Sequence, residues 1–178
     1  MPNYRRDYTL GGCYFFTVVL QDRRADWLIR YIDAFRAAWR AVAVHYPFTT
    51  IAVTILPEHF HAVLTLPEND HDYSRRLGAL KSLFSRSIPP ICRQTNASKQ
   101  NKRESGIWQR RFWEHRIRDR HDLERHIHYT YYNPVKHGYV RRVADWPYTS
   151  FHRDVKNGLF LPDWGEAIAS SSQNLYDD

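Results

Sequence analysis

Pro57-Glu58-His59-Phe60-His61-Ala62-Val63-Leu64 places two histidines on either side of one bulky apolar residue, at the start of a strand-like run. Side chains alternate along a strand, so His59 and His61 are expected on one face and Phe60, Ala62, Leu64 and Leu66 on the other. Two neutral imidazoles can supply half or more of a divalent ion's protein ligands, and a strand holds them more rigidly than a loop would. Composition alone gives the pair little weight. Ten histidines in 178 residues produce roughly 0.5 His-x-His pairs by chance, and a second pair, His126 and His128, is also present. The rest of any site must come from elsewhere in the chain.

Upstream, Phe48 to Leu56 reads as a strand. The short Leu56-Pro57-Glu58 link to the histidine strand favours an antiparallel hairpin. Tyr14 to Leu20, rich in aromatic and β-branched residues after Gly11-Gly12, is a further strand. Between them Leu28, Ile32, Phe35, Trp39, Val42 and Tyr46 recur every three or four residues, which predicts one helix of about five turns, capped by Asp26 and ended by Pro47. Downstream of the hairpin, Asp72 or Ser74 can start a helix through Leu77, Leu80, Leu83, Phe84 and Ile88 that Pro89-Pro90 stops. Its other side carries Arg75, Arg76, Lys81 and Arg86, a solvated basic face that could touch phosphate. Residues 89–106 lack periodicity and read as a mobile loop.

From Ile107 to Arg118 cations and aromatics mix in strand-like alternation. One face carries Trp108, Arg110, Phe112, Glu114, Arg116 and Arg118, and the other Gln109, Arg111, Trp113, His115 and Ile117. Such a mixture suits a groove in which arginines meet phosphates and rings stack on unpaired bases, or an edge strand whose aromatics pack in the core. Asp119, with Asp122 three residues on, predicts an N-cap for a helix reaching about Asn133. Its core stripe is Leu123, Ile127 and Tyr131. A separate stripe carries Asp122, His126, Tyr129 and Asn133, and Tyr132 shares a side with His128. On a helix His126 and His128 diverge by about 200° and cannot share an ion. The aromatic segment from Asp145 to His152 should pack back on the domain. Residues 1–165 are expected to form one domain, followed by a frayed tail over 166–178.

Lys and Arg outnumber Asp and Glu by 26 to 19, a formal charge of +7, which points to a polyanionic partner, nucleic acid first. Cys13 and Cys92, far apart, argue against a zinc knuckle or a disulfide framework. The longest apolar run, Cys13 to Leu20, is too short to span a bilayer, and nothing at the N-terminus reads as a signal peptide, so a cytoplasmic protein without membrane partners is expected.

Three stretches together carry a resemblance: Pro57-Glu58-His59-Phe60-His61, the run from Gly106 to Asp119, and Tyr129-Thr130-Tyr131-Tyr132-Asn133-Pro134-Val135-Lys136-His137-Gly138. In order and spacing they resemble the REP-associated tyrosine transposases. These are relatives of the single-tyrosine HUH (His-hydrophobic-His) transposases of bacterial insertion sequences. The resemblance implies an α+β, ferredoxin-like domain with an antiparallel central sheet, and cleavage and joining of single-stranded DNA next to short palindromic hairpins through a 5′-phosphotyrosine. It places the metal ligands on His59, His61 and Asn133, where insertion-sequence transposases commonly have glutamine in the last position, and the nucleophile on Tyr129. The implied cofactor is a divalent metal, Mg²⁺ or Mn²⁺. Single-stranded or hairpin DNA is the implied partner, bound in a cell's nucleoid, with contacts expected from Arg5, Arg6, Trp108, Arg110, Arg111, Phe112, Arg116, Arg118 and Lys136; self-association is left open. Two rival readings are a hairpin-binding protein without catalysis and a nuclease that uses activated water. Tyr132 is the alternative nucleophile.

Overall fold

The computed structural model describes residues 7–92 and 106–166. Four strands, β1 (Cys13–Val19), β2 (Thr49–Ile55), β3 (His59–Thr65) and β4 (Trp113–Arg116), form one sheet in the order β2-β3-β1-β4. Every neighbouring pair is antiparallel. Helices α1 (Trp27–Arg30) and α2 (Ile32–His45) join β1 to β2, α3 (Tyr73–Ser87) follows β3, and α4 (Arg120–Lys136) and α5 (Phe151–Lys156) follow β4. This is the α+β, ferredoxin-like arrangement with helices on an antiparallel sheet. Arg5, Arg6, residues 93–105 of the loop expected at 89–106, and the tail from 167 lie outside the described residues.

Alternation along the strands separates two cores. Tyr14, Phe16 and Val18 of β1, with Phe60, Ala62 and Leu64 of β3, pack under Phe35, Val42, Leu77, Leu80 and Phe84 of α2 and α3. Phe15, Ala52 and Val63 point the other way, onto Tyr131 of α4 and onto Val143 and Phe151. His59 and His61 share the parity of Val63, so they lie on the α4 side of the sheet. That face holds the site.

Several boundaries differ from expectation for identifiable reasons. The single helix expected before Pro47 is two, α1 and α2, parted at Tyr31, whose backbone leaves helical values at φ −113°, ψ 38°. Asp26 makes no side-chain cap there; its carboxylate binds Arg30 at 3.0 Å instead. Asp72 does cap α3, accepting from the Arg75 N–H, and Ile88 turns extended before Pro89. Arg76 is no part of a solvated basic face. It is 3% exposed, donating to the Pro47 carbonyl at 2.7 Å and to Asp70 at 2.8 Å; the Arg76 hydrogen bond holds the Asp70 carboxyl at about 2.

The alternating run from Ile107 is strand only at Trp113–Arg116. The Lys81 ammonium takes the carbonyls of Gln109 and Arg110 at 2.7 and 3.4 Å, so these groups face away from a ladder. Asp119 caps α4 as expected, accepting from the Asp122 N–H at 2.8 Å. The helix runs through Pro134 to Lys136, because a proline in the last turn forfeits only one late hydrogen bond. The segment around Trp146 packs back along β2: Ser150 exchanges hydrogen bonds with Val53, and the Trp146 indole donates to the Ile55 carbonyl at 3.0 Å. It thereby covers an edge strand that would otherwise present open backbone groups.

Candidate active site on the α4 face of the sheet

The two imidazoles meet tip to tip. Their Nε2 atoms lie 3.2 Å apart, and each ring is fixed from behind through Nδ1. His59 Nδ1 is 2.9 Å from Glu58 Oε1, and His61 Nδ1 is 2.9 Å from the Thr17 hydroxyl, supplied by the facing residue on β1. An ionised carboxylate only accepts, so His59 carries a proton on Nδ1, and in its neutral form the ring turns the Nε2 lone pair into the site. Burial would raise the Glu58 carboxyl, but the His59 hydrogen bond and charge outweigh it and hold it below its ordinary value. A carboxylate behind a histidine sets its tautomer and raises its basicity as a ligand.

His61 is 3% exposed. Burial first, then the neighbouring His59 and His137, push its pKa well below that of a free imidazole, so the ring stays neutral. The sign for stability follows. The unfolded chain binds the proton as pH falls below about 6.5, while the folded chain resists until the depressed value, so this contribution is complete above about 6.5 and is lost on the way down. Denaturation measured from about pH 8 to about pH 5 should show falling stability, and His61→Gln should flatten that slope; an unchanged slope in the variant would show that His61 is not the group responsible.

Over this pair lies α4. The Tyr129 ring sits edge-on to His61, with centroids 5.2 Å apart. Phe15 stacks on His61 at 5.4 Å and meets Tyr129 at 5.7 Å. The Lys136 ammonium is 5.4 Å from the Tyr129 ring centre. Asn133, one turn on, is 1% exposed, and both polar atoms of its amide are buried with no hydrogen-bond partner among the described residues. The amide is near enough to influence both neighbours, favouring the charged forms of His61 and Tyr129. Burial nevertheless raises the Tyr129 phenol above its usual value.

The neighbouring tyrosines are committed elsewhere. Tyr131 is fully buried, its hydroxyl donating to Asp154 and close to Ser150. Tyr132 packs in the second core near Val143 and Gly165. His126 and His128 do diverge: the first meets Phe15 and His115, the second Trp164.

These residues also pass a test of fit for a cation. Two ligand atoms bound side by side to one small divalent ion at about 2.1 Å lie about 3 Å apart, and the Nε2 pair meets that spacing. An amide oxygen left without a partner in a protein interior costs free energy unless something else binds it.

No family model matches the chain. Over 172 residues it is 42% identical to the REP-associated tyrosine transposase of Escherichia coli (strain K12), covering 97% of this chain and 96% of the relative. Over 165 residues it is 59% identical to a Haemophilus influenzae protein provisionally given the same name, covering 93% of this chain and 94% of the relative. The chain belongs to the REP-associated tyrosine transposases. A solved structure of a REP-associated tyrosine transposase bound to a REP hairpin has a TM-score of 0.81 to it at 40% identity, covering 100% of this chain and 95% of that one.

In this REP-associated tyrosine transposase the expected DNA-contact residues separate by burial. Arg110, Arg111, Arg116, Arg118 and Lys136 are exposed, with Arg116 paired to Asp7 at 2.9 Å. Trp108 is 7% exposed, its ring against Phe60 and Phe84 and its indole N–H on the Lys81 carbonyl. Phe112 likewise lies against Phe16 and Tyr73. Sequence reasoning passed over Glu58, although it adjoins His59, and also Thr17 and Phe15, whose positions depend on strand register.

A second group, His115, Asp122 and His126, has ligand atoms all within 4.8 Å of one another and is able to hold a metal. Its carboxylate is already engaged by the His115 ring at 2.8 Å, the Arg118 N–H at 3.0 Å and the His126 ring at 3.0 Å. Burial would raise the Asp122 carboxyl, but these partners, His115 foremost, bring it to about 2. No helix among the described residues is long and apolar enough to cross a membrane.

Proposed function

We propose that the chain cuts and rejoins single-stranded DNA beside REP-type hairpins through a 5′-phosphotyrosine on Tyr129. One observation carries this reading: two imidazole Nε2 atoms 3.2 Å apart, the buried Asn133 amide beside them and the Tyr129 ring beside His61 converge from a strand and a facing helix. The relatives' family name and the hairpin held by the related structure support DNA as the substrate.

A phosphodiester resists attack because its negative charge repels nucleophiles and because charge builds on the leaving oxygen. A divalent ion held by His59, His61 and Asn133, a donor set that suits Mn²⁺ well and Mg²⁺ acceptably, would neutralise charge on the scissile phosphate. Glu58 and Thr17 hold the rings in the ligating orientation. Burial keeps His61 neutral. The Tyr129 oxygen forms a bond to phosphorus as the bond from phosphorus to the 3′ oxygen breaks; the phenol gives up its proton and the departing oxygen gains one. With an ordinary pKa near 10, a phenol leaves more readily than a sugar hydroxyl, so the phosphotyrosine retains the bond energy needed for rejoining. Lys136, above the Tyr129 ring, contributes positive charge where the DNA backbone must pass.

The test is to incubate the chain with 3′-end-labelled hairpin DNA and Mn²⁺, since a 5′-phosphotyrosine retains the strand 3′ to the cut, then to denature it. Label retained on the protein, and absent when EDTA is added, supports the reading. Cleavage that leaves no label on protein would make the chain a water-using nuclease, and binding without cleavage would make it a hairpin-binding protein.

A further inference from the structure

Trp113 was not among the expected DNA contacts, yet of the large aromatic side chains between Ile107 and Arg118 it is the one the fold leaves in the open, 51% exposed. Its backbone position is informative. Trp113 pairs with Thr17 on β1, and Thr17 pairs with His61 on β3, so the three lie in one row across the sheet and on one face. Two strand spacings separate Trp113 from His61, about 10 Å. The ring touches Phe15 edge-on at 5.6 Å, and Phe15 stacks on His61.

The orientation of the indole is also fixed. It lies parallel to the His115 ring, with an interplanar angle of 7° at 6.0 Å, and His115 lies parallel to His126, at 14° and 4.5 Å. Both imidazoles are tied to the buried Asp122 carboxylate. An exposed indole on a mobile strand would sweep many orientations and lose entropy on binding. This one is held by a ladder of rings that a buried anion anchors at its far end.

We propose that Trp113 is the stacking platform for an unpaired base next to the scissile phosphate, and so aligns the strand for attack by Tyr129. About half of its surface is exposed and Arg111 is exposed nearby in sequence, the combination that single-stranded nucleic acid uses: rings for bases and cations for the backbone. The inference rests on the reading of the neighbouring site as a DNA-cleaving centre. It assigns to Trp113 a role for which it is more accessible than Trp108, which is buried, and Phe112, which is half-buried.

The experiment measures binding of the full-length chain to hairpin DNA carrying a single-stranded extension, without divalent cation, while single abasic positions are moved along the extension. Trp113→Ala should weaken binding roughly 5- to 150-fold, and Trp113→Tyr should recover most of it, since a phenol ring also stacks. At one position an abasic nucleotide should cost the wild-type chain the same factor and cost Trp113→Ala nothing further, which is the signature of a direct pair. Binding of Trp113→Ala within about twofold of wild type, or abasic losses that simply add to it at every position, would overturn the proposal. Because this measurement involves no cleavage, a chain that shows the coupling but forms no adduct defeats only the reading of the active site. A chain that forms the adduct without the coupling defeats only the role of Trp113.

Discussion

Tyr129→Phe should bind hairpin DNA as the wild-type chain does and form no covalent product, with cleavage reduced on the order of 10⁴-fold or more. The substitution removes one oxygen and leaves the ring, so the edge contact to His61 at 5.2 Å and that to Phe15 at 5.7 Å persist. The fold should therefore be unaffected. The loss should be nearly complete because neighbouring hydroxyls are poorly placed to substitute: that of Tyr131 is spent on Asp154 and Ser150, and Tyr132 packs in the second core. Burial raises the Tyr129 phenol in the free protein, so the resting side chain keeps its proton at neutral pH. Gel shift for binding and a denaturing gel for the adduct check both halves of the expectation. An adduct that survives in Tyr129→Phe and disappears in Tyr132→Phe would move the nucleophile by three residues.

His59→Ala and His61→Ala, made singly, should each abolish cleavage while leaving hairpin binding within a fewfold of wild type. Either change removes one of two nitrogen donors whose tips are 3.2 Å apart, and the remaining donors hold a divalent ion weakly. The two should differ in stability. His61 is stacked against Phe15 and fixed by Thr17, so its truncation opens a cavity in the interior and should cost about 2–4 kcal/mol in denaturant unfolding. His59→Ala leaves Glu58, 6% exposed, without the ring that holds it ionised, and a carboxylate left so placed is itself a penalty. The cleavage assay with Mn²⁺, beside an unfolding curve for each variant, separates lost chemistry from lost folding. Full cleavage by either variant, or by the wild-type chain in EDTA, would exclude a metal-bearing role for the pair.

Much of this was legible because the local signals agreed. Alternation in Phe60, Ala62, Leu64 against His59 and His61 placed the histidines away from the α2–α3 core, and the Asp119 cap with the spacing of Tyr129 and Asn133 placed the proposed nucleophile and the amide one turn apart. Less legible were features set by contacts distant in sequence. Arg76 has the same local setting as Arg75, yet the Pro47 carbonyl takes it into the interior. Trp108 and Trp113 occupy similar mixtures of cation and aromatic, and only their partners across the sheet separate them: Trp108 bridges Leu20 and packs on Phe60 and Phe84, whereas Trp113 pairs with Thr17 on the other face and stays open. Thr17 is one threonine in an apolar strand until the β1–β3 register sets it behind His61. Glu58 was the exception: its place beside His59 was readable, and its role followed from ordinary carboxylate chemistry.

The central claim is that a strand supplies paired histidines, a helix supplies Asn133 and Tyr129, and DNA is held covalently on that tyrosine. Its most direct test is mass spectrometry of the digested protein–DNA product. Trypsin, cutting after Arg125 and Lys136, releases residues 126–136 with Tyr129, Tyr131 and Tyr132 in one peptide, and fragmentation assigns the nucleotide among them. The nucleotide mass is expected on Tyr129, with no modified peptide in EDTA. The same mass on Tyr132, or cleaved DNA with all three tyrosines unmodified, would contradict it.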